Sequence, residues 1–197
     1  MEIDINKIKT WCITGASSGL GYYLSTRLLE NNYNIIALSR QKANLNSKNA
    51  LIVQCDITSP EDVDKAIHTG INHYGNIDVL VNNAGITSFY TFEESINADL
   101  ENIFKINFFG TCNVIRSCTP HFRNKGYGTI INISSMHGLT PRLNGSGYCS
   151  TKYAIEGLTD VLRLEMQNFC RVMAVEYGYF PNTNIGKIAT KKRNKVF

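Results

Sequence analysis

Apolar residues fall along the chain in two rhythms. Six short runs, KTWCIT (9–14), NIIALS (34–39), ALIVQC (50–55), IDVLVNN (77–83), GTIINIS (128–134) and RVMAV (171–175), are rich in apolar residues. Runs of that length and density read as strands buried on both faces. Between them the apolar positions take helical spacing. Leu20, Tyr23, Leu24, Leu28 and Leu29 mark a helix from Gly19 to Asn31, and Val63, Ile67, Ile71 and Tyr74 mark another. The second opens on Ser59-Pro60-Glu61-Asp62. A serine N-cap, a proline at the first helical position and acids near the positive end of the dipole all agree there. A long helical region is expected from about 94 to 124, interrupted near Asn107. A last helix is expected from Tyr148 to about Asn168, with Ala154, Ile155, Leu158, Val161 and Leu162 turned inward.

Strands alternating with helices predict an α/β fold: a doubly wound, Rossmann-like parallel sheet of six strands with helices on both faces. No repeat, linker or low-complexity block divides the 197 residues, so residues 1–197 read as a single domain. In such sheets ligands bind outside the carboxyl ends of the strands. The chemistry-bearing residues of this chain fall at those ends.

Composition narrows the function classes. The chain is 43% hydrophobic and 18% charged, enough for a substantial core. The net charge of +4 is mild and owes much to the tail KKRNK (191–195), which reads as a solvated end rather than a nucleic-acid surface. The six cysteines form no C-x-x-C pair, and the four histidines have no ligand spacing within a helix. No metal is expected. With no signal peptide and no apolar run long enough to span a bilayer, the reducing cytosol is the expected compartment.

After the first strand comes TGASSGLG (14–21), with Gly15, Gly19 and Gly21 in a turn that opens a helix. A glycine turn serves a tight bend equally well. Its place between a first strand and a first helix favours a pyrophosphate site, where backbone approaches closely and the helix end supplies N–H groups. An acid about 20 residues beyond such glycines would select NAD. The second strand ends instead in Ser39-Arg40, and arginine binds a phosphate in a bidentate manner. NADP(H) is therefore expected over NAD(H).

GYCSTK (147–152) places Tyr148 and Lys152 four apart, on one face of a helix. A neighbouring ammonium makes a phenol easier to ionise. The two residues are candidates for an acid–base pair.

These motifs together resemble the short-chain dehydrogenase/reductase family, over residues 9 to about 185. The glycine turn matches its T-G-x-x-x-G-x-G. Asp56 ends the third strand as the family's adenine-side acid does, Asn82-Asn83-Ala84-Gly85 matches N-N-A-G, and Tyr148 with Lys152 matches Y-x-x-x-K. Asn107 in KINFFG and Ser135 in NISS match its catalytic asparagine and serine. The resemblance implies an oxidoreductase that interconverts an alcohol and a carbonyl by hydride transfer. Tyr148 would be the general acid/base and Lys152 would lower its pKa and hold the ribose. Ser135 would bind the substrate oxygen, and Asn107 would hold a water leading from Lys152 to solvent. The implied cofactor contacts are Gly15, Ser17, Ser18, Gly19, Leu20, Gly21, Ser39, Arg40, Asp56, Ile57, Asn83, Ala84, Gly85, Tyr148, Lys152 and Thr183. A homodimer is implied, paired through the two long helices.

VEYGYF (175–180) resembles the V-E-P-G-F-F of a branch near the 17β-hydroxysteroid and retinol dehydrogenases, which leans towards an apolar alcohol or ketone. Tyr177 stands where the family has proline. Against the family the chain is expected to lack the substrate-covering lid and the seventh strand, which would leave the sixth strand as an apolar edge. The intact set Asn107, Ser135, Tyr148 and Lys152 favours an active enzyme. The missing lid and Tyr177 favour a cofactor-binding protein without efficient catalysis, a sensor or remnant.

Overall fold

In the computed structural model, residues 8–88 and 90–178 are described. The six expected strands are present: β1 (Thr10–Thr14), β2 (Asn34–Ser39), β3 (Ala50–Gln54), β4 (Val79–Asn82), β5 (Thr129–Ile133) and β6 (Arg171–Val175). All pair in parallel, in the order β3-β2-β1-β4-β5-β6. β2 and β3 lie to one side of β1, and β4, β5 and β6 to the other. The carboxyl ends of β1 and β4 thus flank the switch point, where such sheets bind ligands.

Helices cover both faces. α1 (Gly19–Glu30) lays Leu20, Tyr22, Leu24, Leu28 and Leu29 against a cluster built on Ile13, Ile35, Ala37, Val79 and Val81. On the opposite face, α2 (Pro60–Tyr74) and α4 (Thr111–Lys125) bury Val63, Ile67, Val114, Ile115, Cys118 and Phe122 against Cys12, Ile36, Leu80 and Ile130. α5 (Ser146–Glu165) adds Leu162 to that cluster. α2 starts as its sequence requires: the Ser59 hydroxyl accepts from Asp62 N at 3.1 Å, and Gly75 closes the helix at φ +76°.

Three readings of the pattern need correction. Tyr23 and Val161, expected inward, are exposed, because each lies at the margin of an apolar stripe and Tyr22 and Thr159 take the inward places. The region expected as one helix from 94 to 124 is divided into a short 3-10 turn at Phe92–Glu94, α3 (Asn97–Phe104), a π segment at Lys105–Gly110, and α4. The interruption falls at Asn107, as the pattern predicts. α5 begins two residues before Tyr148, so Tyr148 sits within its first turn.

All six cysteines are buried free thiols. Among the described residues no helix is long and apolar enough to cross a membrane, and no group of three or more His, Cys, Asp or Glu side chains is placed to hold a metal.

Candidate active site

β1 delivers its last residue, Thr14, to the switch point. The Thr14 hydroxyl accepts hydrogen bonds from the backbone N–H groups of Asn83 and Ala84, each at 3.0 Å. The Asn83 side chain donates back to the Thr14 carbonyl at 2.8 Å. The turn after β1 is thereby fastened to the turn after β4. Gly15 takes φ +68° and Gly19 φ +56°, conformations that favour glycine. A Cβ on Gly21 would lie 2.5 Å from Asn83 Nδ2 and 2.6 Å from the Gly15 carbonyl. Gly21 is thus the point where α1 packs onto the strand turn.

These elements wall a cavity of about 540 Å³. Gly15, Ser17, Ser18, Gly19 and Leu20 form one end of its lining; Ser39, Arg40, Asp56 and Ile57 line it from β2 and β3; Asn83, Ala84 and Gly85 line it from β4. At α1 no side chain caps the helix and no acid stands in its first turn, so its leading N–H groups are left to meet a negative ligand. A pyrophosphate fits that donor set. The Asp56 carboxylate is held below its usual range, chiefly by the Thr58 N–H at 2.9 Å, against the opposing effect of burial. The charges of Arg40 and Lys105 add to the lowering. Leu38, Gln41, Cys55, Thr58, Ile86, Ile106 and Tyr177 also line the cavity; their sequence context carried no signal except at Tyr177.

The second group of predicted residues lies at the ends of β5 and α5. Tyr148 and Ser135 are buried, and the hydrogen bond between their side chains acts to lower the Tyr148 phenol. Ser135 also accepts from the N–H of His137 at 3.1 Å, which caps a short 3-10 turn. The Lys152 ammonium lies 5.7 Å from the centroid of the Tyr148 ring and donates to the Ile133 carbonyl at 2.7 Å. Burial lowers Lys152 to about 8, opposed in part by Glu156. Tyr148 departs from its sequence expectation. Its phenol is pushed up, first by burial and then by Tyr177, a neighbour that also hydrogen-bonds it. Lys152 stabilises a backbone carbonyl here rather than a phenolate, and neither Tyr148 nor Lys152 is among the residues lining the cavity. Tyr177 joins the two regions.

Asn107 is buried in the π segment. Its side chain accepts from Ile86 N at 2.8 Å and donates to Ile86 O at 2.9 Å and to the Thr151 hydroxyl at 3.1 Å. It ties the turn after β4 to α5, one residue from Lys152. Thr183 lies outside the described residues.

Residues 9–194 match a family model described as short chain dehydrogenase. The chain is 39% identical over 133 residues to an uncharacterized oxidoreductase of Schizosaccharomyces pombe, an overlap of 67% of this chain and 56% of that protein. It is 32% identical over 183 residues to a 3-ketodihydrosphingosine reductase of Bacteroides thetaiotaomicron, covering 89% of this chain and 67% of the relative. A 3-ketoacyl-(acyl-carrier-protein) reductase from Brucella melitensis, solved with NADH, superposes with a TM-score of 0.87 at 29% identity, over 91% of this chain and 78% of that one. The chain belongs to the short-chain dehydrogenase family. The chain spans about half the length of the first of these relatives.

Proposed function

We propose that the chain interconverts an apolar alcohol and its carbonyl by hydride transfer, with NADP(H) preferred over NAD(H). The observation that carries this reading is the Ser135–Tyr148 hydrogen bond beside the buried Lys152 ammonium, next to a cavity whose glycine end suits a pyrophosphate. A nicotinamide cofactor, when bound, would supply the hydride for reduction and accept it in oxidation. As a carbonyl carbon gains hydride, negative charge grows on its oxygen. In this reading Ser135 donates to that oxygen and Tyr148 gives it a proton. Asn107 fixes the turn after β4 and α5 with respect to each other.

Arg40 supports the 2′-phosphate, since it lines the cavity at the end of β2 where an acid would select NAD. Exposed Met136, Leu139 and Leu143 follow Ser135, and they support an apolar substrate. The name of the Bacteroides thetaiotaomicron relative, 3-ketodihydrosphingosine reductase, leans the same way. A homodimer is part of this reading. Tyr153, Val161 and Leu164 form an exposed apolar stripe along α5, the face an isologous helix pair would bury.

The test is incubation with NADPH and a panel of ketones, followed by loss of nicotinamide absorbance. Tyr148→Phe should lower turnover on the order of 10²-fold or more and leave NADPH binding in place. Turnover of that variant within a few-fold of the parent counts against the assignment.

A further inference from the structure

A line of polar side chains crosses the interior from β4 through β5 to α5. Asn82 and Asn132 are register partners on neighbouring parallel strands. Two residues back along the same face, their counterparts Leu80 and Ile130 belong to the apolar cluster. Asn82 Nδ2 donates to Asn132 Oδ1 at 2.8 Å, and Asn132 Nδ2 donates to the Thr159 hydroxyl at 2.9 Å. That hydroxyl donates in turn to the Ile155 carbonyl at 2.7 Å. All three side chains are buried. Their directions are forced. A carbonyl accepts and never donates, so Thr159 gives its one proton to Ile155 and must accept from Asn132. The Asn132 oxygen therefore faces Asn82, which must donate. Asn82 Oδ1 is left buried with no hydrogen-bond partner among the described residues. A line that strands a buried acceptor is a poor stabiliser, and its use is positional.

What the line positions is Lys152. Asn132 precedes Ile133, whose carbonyl accepts from the Lys152 ammonium at 2.7 Å. Thr159 lies seven residues beyond Lys152, about two helical turns along one face of α5. The Asn132–Thr159 and Ile133–Lys152 bonds are thus two fasteners, one neutral and one charged, between the same strand and the same helix. Leu162 packs from α5 into the cluster that holds Ile130. Apolar contact of that kind sets a distance but no direction, so it leaves the height of the helix on the strand to the hydrogen bonds. We propose that Asn132 and Thr159 are positioning residues of the acid–base site: their bond sets the height of α5 on β5 and so brings the Lys152 ammonium onto the Ile133 carbonyl. For its effect on turnover the inference rests on the oxidoreductase reading above; for its effect on Lys152 it rests on the hydrogen-bond geometry.

The experiment compares the parent with Thr159→Val, which keeps the shape and loses the hydroxyl, and with Thr159→Ser, which keeps the hydroxyl. Leu162→Ala is the control, since it loosens the same helix without touching the line. Thr159→Ala takes the place of the valine variant if that one does not fold. The Lys152 ammonium is followed by ¹⁵Nζ NMR in the cofactor-free protein at mildly acidic pH, with Lys152→Met assigning its signal. Exchange of its protons with water should be about tenfold faster in Thr159→Val, the size of one lost hydrogen bond, and unchanged in Thr159→Ser and Leu162→Ala. In steady state, kcat for ketone reduction with NADPH should fall about tenfold in Thr159→Val while KM and the NADPH dissociation constant stay within about twofold, and Thr159→Ser should keep the parent rate. Unchanged exchange in Thr159→Val overturns the proposal, and so does a rise of equal size in Leu162→Ala, the mark of general loosening. Faster exchange with an unchanged kcat overturns the role in turnover. A parent that reduces no ketone, with exchange raised in Thr159→Val alone, overturns the oxidoreductase mechanism and leaves the positioning of Lys152 established.

Discussion

The Lys152 ammonium donates to the Ile133 carbonyl at 2.7 Å, which ties α5 to the end of the strand that delivers Ser135. The bond is made by a buried charge, and pH should reveal its cost. Burial brings Lys152 from 10.5 to about 8. Below about pH 8 the folded chain carries the proton and bears the full cost of burying it. Between pH 8 and 10.5 the folded state loses that proton before the unfolded state does, so the cost is relieved as pH rises. Compared with Lys152→Met, the parent should gain at most about 3 kcal/mol of stability across that window. Urea unfolding of both cofactor-free proteins at pH 7 and pH 10 measures it, and a difference that stays constant with pH contradicts the assignment.

Gly21→Ala should damage both stability and binding. The added Cβ meets the Gly15 carbonyl at 2.6 Å and the Asn83 side chain at 2.5 Å; a backbone oxygen cannot turn aside as a flexible side chain can. A loss of about 1–3 kcal/mol is expected from overpacking, together with a rise in the NADPH dissociation constant of about tenfold or more as the turn shifts away from the phosphates. Thermal denaturation and NADPH fluorescence titration check the two parts separately.

Arg40→Ala should narrow the preference for NADPH over NADH by about tenfold, the value of one charge-assisted hydrogen bond to a phosphate. The affinity for NADH should change little. Equal affinities in the parent, or an unchanged ratio in the variant, would defeat the NADP(H) reading.

Leu164→Glu places a charge on the exposed stripe formed by Tyr153, Val161 and Leu164. In a symmetric dimer it would set two such charges into one apolar interface, at several kcal/mol. Sedimentation at micromolar concentration should show a dimer for the parent and a monomer for the variant. A parent that sediments as a monomer removes the dimer from the proposal.

Periodicity carried the fold because the four central strands are buried on both faces and the helices on one. Such patterns survive without knowledge of any partner. It failed at Tyr23 and Val161, where the stripe has a margin and neighbouring residues compete for the inward place. The glycine turn was legible because its chemistry is local: positive φ at Gly15 and Gly19 belongs to the chain itself. The state of Tyr148 was not legible. It is set by burial and by a residue 29 positions away, and spacing of four within a helix says nothing of either. The same holds for Asn107, whose partners Ile86 and Thr151 come from the turn after β4 and from α5.

The six buried thiols give the molecule a clock of its own. Each is shut inside the folded chain, and a reagent in solution can reach one only when the surrounding structure opens. Labelling should then follow the frequency of opening rather than the chemistry of the thiol. Cys12 on the central strand would register only the largest openings, whereas Cys149, near the start of α5 beside Tyr148, would register local ones. The order in which the cysteines acquire label would thus record, site by site, the sequence in which the structure comes apart.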